Sequence, residues 1–459
     1  MGSLLSTMWM AAQALEADQG ALDATSNNIA NQNTPGYSRE LAIFTEATPT
    51  VEGNLTYGNG VLLQQIQSVR DQVLQLRIGE ENQQQSSAQA QYGALQQVQN
   101  LFADPTQGIG ADFTAFFNNI SQLSTQPSSI PTRQAVLTSA QNLVNDFHAT
   151  GQNLDSIQSG LNQTVAQEVS QINSLTQQIA QINERVGQMQ RLGQDPGSLG
   201  DQETQLIQKL SQLTTVNQIQ TENGLTLTTG SGTPLVVGGQ SFALQTTNGA
   251  SGMTDISSQG QDITSSLDGG QLGGNLQVRD TVIPGLLTQI DNLASQFTTS
   301  FNAAQASGYD LNGNHGQALF ADTSGPGAAN NLSLVVSDPS LIAASSDGSQ
   351  GSNGNLSNLL AVQTQALPSG ANPVDTYANL VSQVGNLTAQ AQAEIGASTS
   401  SLNQLNNQLG AESGVNLDEE TTNLMNYQRA YQAAARVVST IDSLTQSVLD
   451  MGSGVTAAP

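Results

Sequence analysis

Apolar residues recur at spacings of three and four along most of the 459-residue chain, and both ends carry the same ladder. Between Gly414 and Met451, Leu424, Tyr427, Tyr431, Ala434, Val438, Ile441 and Val448 fall on one helical stripe, broken only by Thr445. Asn416 or Asp418 can cap this helix, and Glu419 and Glu420 suit the positive end of its dipole. At the other end Leu5, Met8, Ala12, Leu15, Leu22 and Ile29 repeat the ladder, with polar Gln19 and Ser26 at the skipped rungs. A single stripe must be buried against something, so the two termini are expected to pair as a coiled coil. Amphipathic helices draw most of their stability from packing, so this pair is expected to be marginal in a lone copy and stable when many copies pack together.

Between the ends the period changes twice. Ile66, Val69, Val73 and Leu76, then Tyr92, Leu95, Val98 and Leu101, predict one long helix from Gln64, with Gly79 as a candidate interruption and Asp104-Pro105 as the stop. Residues 112–127 predict a shorter helix closed by Pro127, and Pro131 opens another in its first turn, with no stop at Gly151 or Gly160. The stripe from Leu154 through Ile172 to Met189 covers about 50 Å at about 1.5 Å per residue, a rod and not a pocket wall. After the break RLGQDPGSLG, Leu206, Leu210, Leu213 and Val216 form the returning arm of a helical hairpin. From Leu225 to Val278 the pattern alternates, with LTLTT, PLVV and SFALQ as hairpin strands and the Gly/Ser-dense stretch from Gly249 to Gly274 as exposed turns. Pro284 starts a helix with Leu287, Ile290, Leu293, Phe297 and Phe301 on one face. Residues Gly308 to Leu360, including NLSLVVS, are expected to complete the β module, and Leu380, Val384, Leu387 and Ile395 mark a last helix before the C-terminal one.

The predicted fold is therefore mainly α with an inserted all-β module. Terminal helices forming a coiled-coil pair occupy residues 1–40 and 415–459. A long helical hairpin body takes 41–222, 276–306 and 372–414, and a small β domain takes 223–275 and 307–371.

Composition narrows what such a chain does. A net charge of -26 argues against nucleic acid and against anionic membrane surfaces, so the expected partners are proteins. The absence of cysteine removes disulfides and thiolate chemistry, and MGSLLSTMWM has neither the basic region of a secretory signal nor a membrane-spanning run. The two histidines, His148 and His315, lie far apart, and no hydrolase, metalloprotease or P-loop motif is present, so no catalytic residue, cofactor or metal is expected. Asp310, Asn312 and Asn314 imitate the first half of a calcium loop. His315 stands where that loop needs Gly and Ala321 where it needs Glu, so a tight polar turn is the preferred reading.

The loop after the first helix carries a resemblance. ANQNTPGYSR, with Asn31, Asn33, Thr34, Pro35, Gly36 and Tyr37, resembles the N-terminal signature loop of bacterial flagellar axial proteins. Three further stretches, FFNNISQLSTQPSSIPTRQAVLTSAQNLVNDF, LGGNLQVRDTVIPGLLTQIDNLASQF and SGVNLDEETTNLMNYQRAYQAAARVV, are similar to the hook-associated branch of that family, in the same order. Two departures stand out: Glu40 replaces a common Gln, and the stretch from Gly224 to Leu272 is short.

The resemblance implies a structural adaptor exported unfolded through the flagellar type III apparatus and placed outside the cell. It also implies a closed ring of about eleven copies with the terminal helices innermost. Its partners would be the hook protein, a second hook-filament junction protein and an export chaperone on the C-terminal helix. Tyr427 and Tyr431 are either recognition anchors or core of the terminal bundle. Two other readings remain open from sequence: a free secreted adhesin using the β domain, or another hook or rod axial protein.

Overall fold

The computed structural model describes residues 2–52, 54–102, 106–221, 224–250 and 252–453. The predicted stop at Asp104-Pro105 and the tail 454–459 lie outside the described residues.

Helix α1 (Gly2–Asn31) and helix α11 (Leu417–Ser453) pair at the termini, as the matching ladders require. Across α1 lies a β-hairpin of β1 (Glu40–Glu46) and β4 (Val61–Ser68), extended at its tip by β2 (Thr50–Glu52) and β3 (Leu55–Tyr57). Its register runs from Glu40 opposite Ser68 to Glu46 opposite Val61. This corrects two expectations. The helix read from Gln64 starts only at Gln72, because Val61 to Ser68 is drawn into the sheet and the Asp71 carboxylate caps α2 (Gln72–Leu101), accepting from the amides of Val73 and Leu74 at 2.8 and 3.0 Å. The hairpin also belongs with the terminal helices and not with the body, where residues from 41 onward were placed.

The body is built on α4 (Ile130–Arg191), a single helix of 62 residues, about 90 Å long. It runs through Gly151 and Gly160, and through Gly187 as well. At Gly151 a Cβ would stand 2.3 Å from Asn330 Oδ1, so the glycine admits the short helix α8 (Ala328–Asn331). Helix α3 (Ile109–Thr125), α7 (Ile283–Ala306) and the first half of α4 enclose a core of Phe113, Phe116, Phe117, Phe147, Phe297, Phe301 and Phe320, mostly edge to face. Leu319, Leu332, Val336 and Ile342 complete the same cluster, as does Leu359 of α9 (Leu356–Thr364). Residues 307–371, assigned from sequence to the β domain, therefore belong to the body. Their turns carry only isolated bridges, such as Tyr309 with Ser345 and Phe320 with Leu334, because their apolar residues are spent on the phenylalanine core.

A second cluster builds the β module against the rod. Val165, Val169, Ile172 and Ile179 of α4 and Ile207 and Leu210 of α5 (Ser198–Leu213) meet the strands. One sheet has the order β5 (Asn217–Thr221), β6 (Gly224–Thr228), β7 (Pro234–Val237), β8 (Gln240–Ser241). The other places β10 (Thr254–Ser258) between β9 (Leu244–Asn248) and β11 (Gln261–Asp262). Ile256, Ile263, Leu267 and Leu272 are buried, so the Gly/Ser-rich stretch read as exposed turns contributes to a core. Asn162, Asn173 and Asn183 along α4 bond to the backbone of Thr254, Leu244 and Leu225, which fixes the module to the rod. Helix α6 (Gly270–Gln277) and a π-helical turn (Val278–Val282) return the chain to α7. Helix α10 (Pro373–Ser413), capped by Asn372, lies along α2 and leads into α11. No helix among the described residues is long and apolar enough to cross a membrane.

Candidate assembly interface

The termini run antiparallel: Asn28 of α1 bonds to Glu420 near the start of α11, while Leu4, Leu5 and Met8 share a groove with Ile441, Thr445, Val448 and Leu449. Buried positions on α1 are Ala11, Ala17, Ala21, Ala24, Thr25 and Asn28, none of them a large residue of the stripe. Small side chains let backbones approach. Gly20 shows the limit, since a Cβ there would meet Leu63 Cδ2 of the hairpin at 2.3 Å. The larger residues are then left partly or wholly in solvent. Leu5 is 58% exposed and Met8 is also open, while Leu15, Leu22 and Ile29 are half-buried. On α11, Ile441 is buried, Leu424, Tyr427 and Val438 are half-buried, and Tyr431 and Val448 are exposed.

Tyr427 packs on Phe44 of the hairpin, ring centroids 6.3 Å apart, whereas Tyr431 one turn on faces solvent. Burial, Glu420 and Asp18 all push the Tyr427 phenol up from its ordinary range. Thr445, the polar interruption of the stripe, donates its hydroxyl to the Ile441 carbonyl at 2.8 Å. Its polarity is thus satisfied within the helix, and it lines the groove with Val448.

Beyond the stripe, the chain leaves Trp9 64%, Met425 51%, Leu449 58% and Met451 66% exposed, with Val437 and Leu444 also open. Large apolar side chains are thus left in solvent along both terminal helices.

The loop after α1 is a folded joint. Asn31 donates to the Asn27 carbonyl and side chain, and Thr34 donates both its amide and its hydroxyl to Asn31. Asn33, Thr34 and Pro35 are exposed; Gly36 turns the chain at φ +76°, and Gln205 of α5 donates to the Pro35 carbonyl at 2.9 Å. Tyr37 donates its hydroxyl to Asn28 Oδ1 at 2.9 Å. Burial first, then Glu40, Asp201 and Glu420, raise the Tyr37 phenol well above its usual range and keep it a donor.

Asn28 is the hub that sequence reasoning missed. It is 1% exposed and makes four bonds: its amide donates to the Glu40 carbonyl at 2.8 Å and to Glu420 Oε2 at 3.1 Å, and its oxygen accepts from the Glu40 amide and the Tyr37 hydroxyl. One side chain thus ties α1, the loop, the hairpin and α11. The available signal was the small-residue ladder Ala17, Ala21, Ala24, which ends on Asn28.

Both histidines are engaged in packing contacts far apart in the sequence. His148 Nε2 lies 2.6 Å from the Leu332 carbonyl, and His315 stacks on Tyr309 with centroids 4.4 Å apart. Asp310 is buried, and its Oδ1 accepts the amides of Asn312 and Asn314, so that carboxylate oxygen closes a turn.

Three family models match separate stretches of the chain. Residues 95–320 match the helical domain of the flagellar hook-associated protein FlgK, residues 8–37 match the flagella basal body rod protein family, and residues 411–451 match the C-terminal region of the flagellar basal body rod FlgEFG proteins. Flagellar hook-associated protein 1 of Salmonella typhimurium is 26% identical over 541 residues, covering 95% of this chain and 98% of the relative. That of Bacillus subtilis is 27% identical over 497 residues, covering 97% of each. The chain belongs to the flagellar hook-associated FlgK family. The flagellar hook junction protein FlgK from Burkholderia pseudomallei has the same fold, with a TM-score of 0.65 at 19% identity, over 72% of this chain and 99% of that one. In family terms, the loop from Asn31 to Tyr37 closes the N-terminal match, and all of the exposed α11 face lies in the C-terminal one. The family is one of structural flagellar proteins.

Proposed function

We propose that the chain is a structural junction piece that assembles through its terminal helices into a closed ring, with the hook on one side and the filament on the other. The observation that carries this reading is the pairing of α1 and α11, which leaves Leu5, Trp9, Leu444 and Leu449 open along the pair. Closed cyclic packing would bury that face in neighbouring copies. The ring is taken to hold about eleven subunits, by family resemblance. The hook protein would lie below it and a second junction protein above.

Before assembly the same α11 face would be covered by an export chaperone, and the chain would leave the cell through the flagellar export route. The relatives, flagellar hook-associated proteins, support the hook association, and the lack of cysteine suits a chain exported unfolded. No step of this function needs a cofactor. Immunolabelling intact flagella tests it: label confined to the boundary of hook and filament is expected, and label along the filament or free in the medium alone would overturn it.

A further inference from the structure

The polypeptide passes between the terminal layer (α1, the hairpin and α11) and the body only twice, at residues 69–71 and 414–416. Both crossings are short. Among the described residues no buried apolar cluster spans the joint: the nearest, Leu74, Ile78, Leu402 and Leu405, lies wholly on the body side. Domains joined without an apolar interface move relative to one another unless something polar holds them.

Here the polar hold is concentrated on one side. Arg70, in the first crossing, donates Nε to Asp201 Oδ1 at 3.0 Å and a further N–H to the Gly197 carbonyl, and its Nη1 stands 3.7 Å from Asp195 Oδ1. Asp201, 6% exposed in the first turn of α5, uses its other oxygen to accept the Ser38 amide at 3.0 Å. Asp195 in turn accepts from the Ser68 hydroxyl at 2.9 Å. The tip of the α4–α5 hairpin thus grips the loop, the end of the hairpin and the first crossing at once. Arginine suits the position because its planar fork serves several acceptors together, which a lysine cannot. At the second crossing the hold is weaker: the Arg39 amide donates to the Ser413 carbonyl, while the Arg39 side chain pairs with Glu419 inside the terminal layer.

We propose that the joint is a hinge and that Arg70 with Asp201 is its latch, fixing the tilt of the terminal layer on the body until those bonds open. The inference concerns the single chain and stands or falls independently of ring assembly.

Because the chain has no cysteine, two introduced ones can be labelled without background. Spin labels at Gln19→Cys on α1 and Gln89→Cys on α2, both exposed, report the tilt by pulsed electron resonance. The otherwise unaltered chain is expected to give one narrow distance distribution. Arg70→Gln and Asp201→Asn are each expected to widen it at least twofold, with the double variant no broader than either and Arg70→Lys in between. Helix content by circular dichroism checks that the variants are folded, and Asp201→Asn carries the test if Arg70→Gln loses helix. A distribution unchanged in folded Asp201→Asn, or one already as broad in the unaltered chain, would overturn the latch.

Discussion

Replacing Asn28 by alanine isolates the hub of the terminal layer. The substitution removes two bonds to the Glu40 backbone, one to the Tyr37 hydroxyl and one to the Glu420 carboxylate. Neutral bonds are worth about 1 kcal/mol each and one to a charged group about 2, which sets a ceiling of about 5 kcal/mol. Partial relaxation toward water brings the expectation to about 3 to 5 kcal/mol. Glu420 decides the upper end. It is 2% exposed, and its other oxygen already lacks a partner, so without Asn28 a buried carboxylate stands alone. Because each 1.4 kcal/mol is tenfold, amide exchange across α1 and α11 is expected to speed up by about a hundredfold or more, or to reach the unfolded-chain rate. Exchange in α3 and α7, in the phenylalanine core, is expected to stay unchanged. Hydrogen exchange read by mass spectrometry separates the two regions in one experiment. Unchanged protection in the terminal helices of Asn28→Ala would refute the role given to this side chain.

Phe297 touches five other phenylalanine rings and is fully buried, so Phe297→Ala is expected to cost about 4 kcal/mol in denaturant unfolding of the body. Burial lifts the Glu168 carboxyl to about 7 despite the bond it accepts from Asn275, and burial lifts Glu203 to about 7 despite Arg70. Both folded values lie above the unfolded ones, so the folded chain holds protons that the unfolded chain has released. Their stabilisation is complete below about pH 4.5 and is lost as the pH rises through about 7. Denaturant midpoints are accordingly expected to fall between pH 5 and 8 on this account, less so in Glu168→Gln; an equal fall in that variant would count against it. Thr445→Val is expected to leave the melting temperature of the lone chain within the range of about 0.5 kcal/mol typical of surface changes, since the hydroxyl bonds only its own helix. Thr445→Asp, placing a second carboxylate beside Asp442 in the groove, is expected to weaken self-association, measured by sedimentation.

The helical elements were legible because their period is repeated many times. The helix opened by Pro131 was expected to run past Gly151 and Gly160 into the ladder from Leu154 to Met189, and α4 does so. Pairing of the termini also followed from matching stripes. What failed were stretches whose local pattern fitted two structures. Ile66 and Val69 continue the 3-4 spacing into Val73, and it is the distant partner strand from Glu40 that draws residues 61–68 into a sheet. In residues 307–371 the strand-like NLSLVVS is real in composition, but Leu332 and Val336 belong to the core cluster built around the phenylalanines of α3, α4 and α7. The terminal stripe was read by size, whereas the residues buried on α1 are small or polar, Ala17, Ala21 and Ala24 among them. Asn28 was invisible for the same reason, because a polar residue in a helix reads as surface until its four partners are brought to it by tertiary structure.

The central claim is that the terminal helices build the junction. Removing residues 424–459 and returning the truncated chain to cells that lack the native one tests it most directly. The account predicts a body that still folds, with its phenylalanine core intact, together with lost motility and filament subunits shed into the medium. Filaments that still assemble and stay attached to hooks would contradict it.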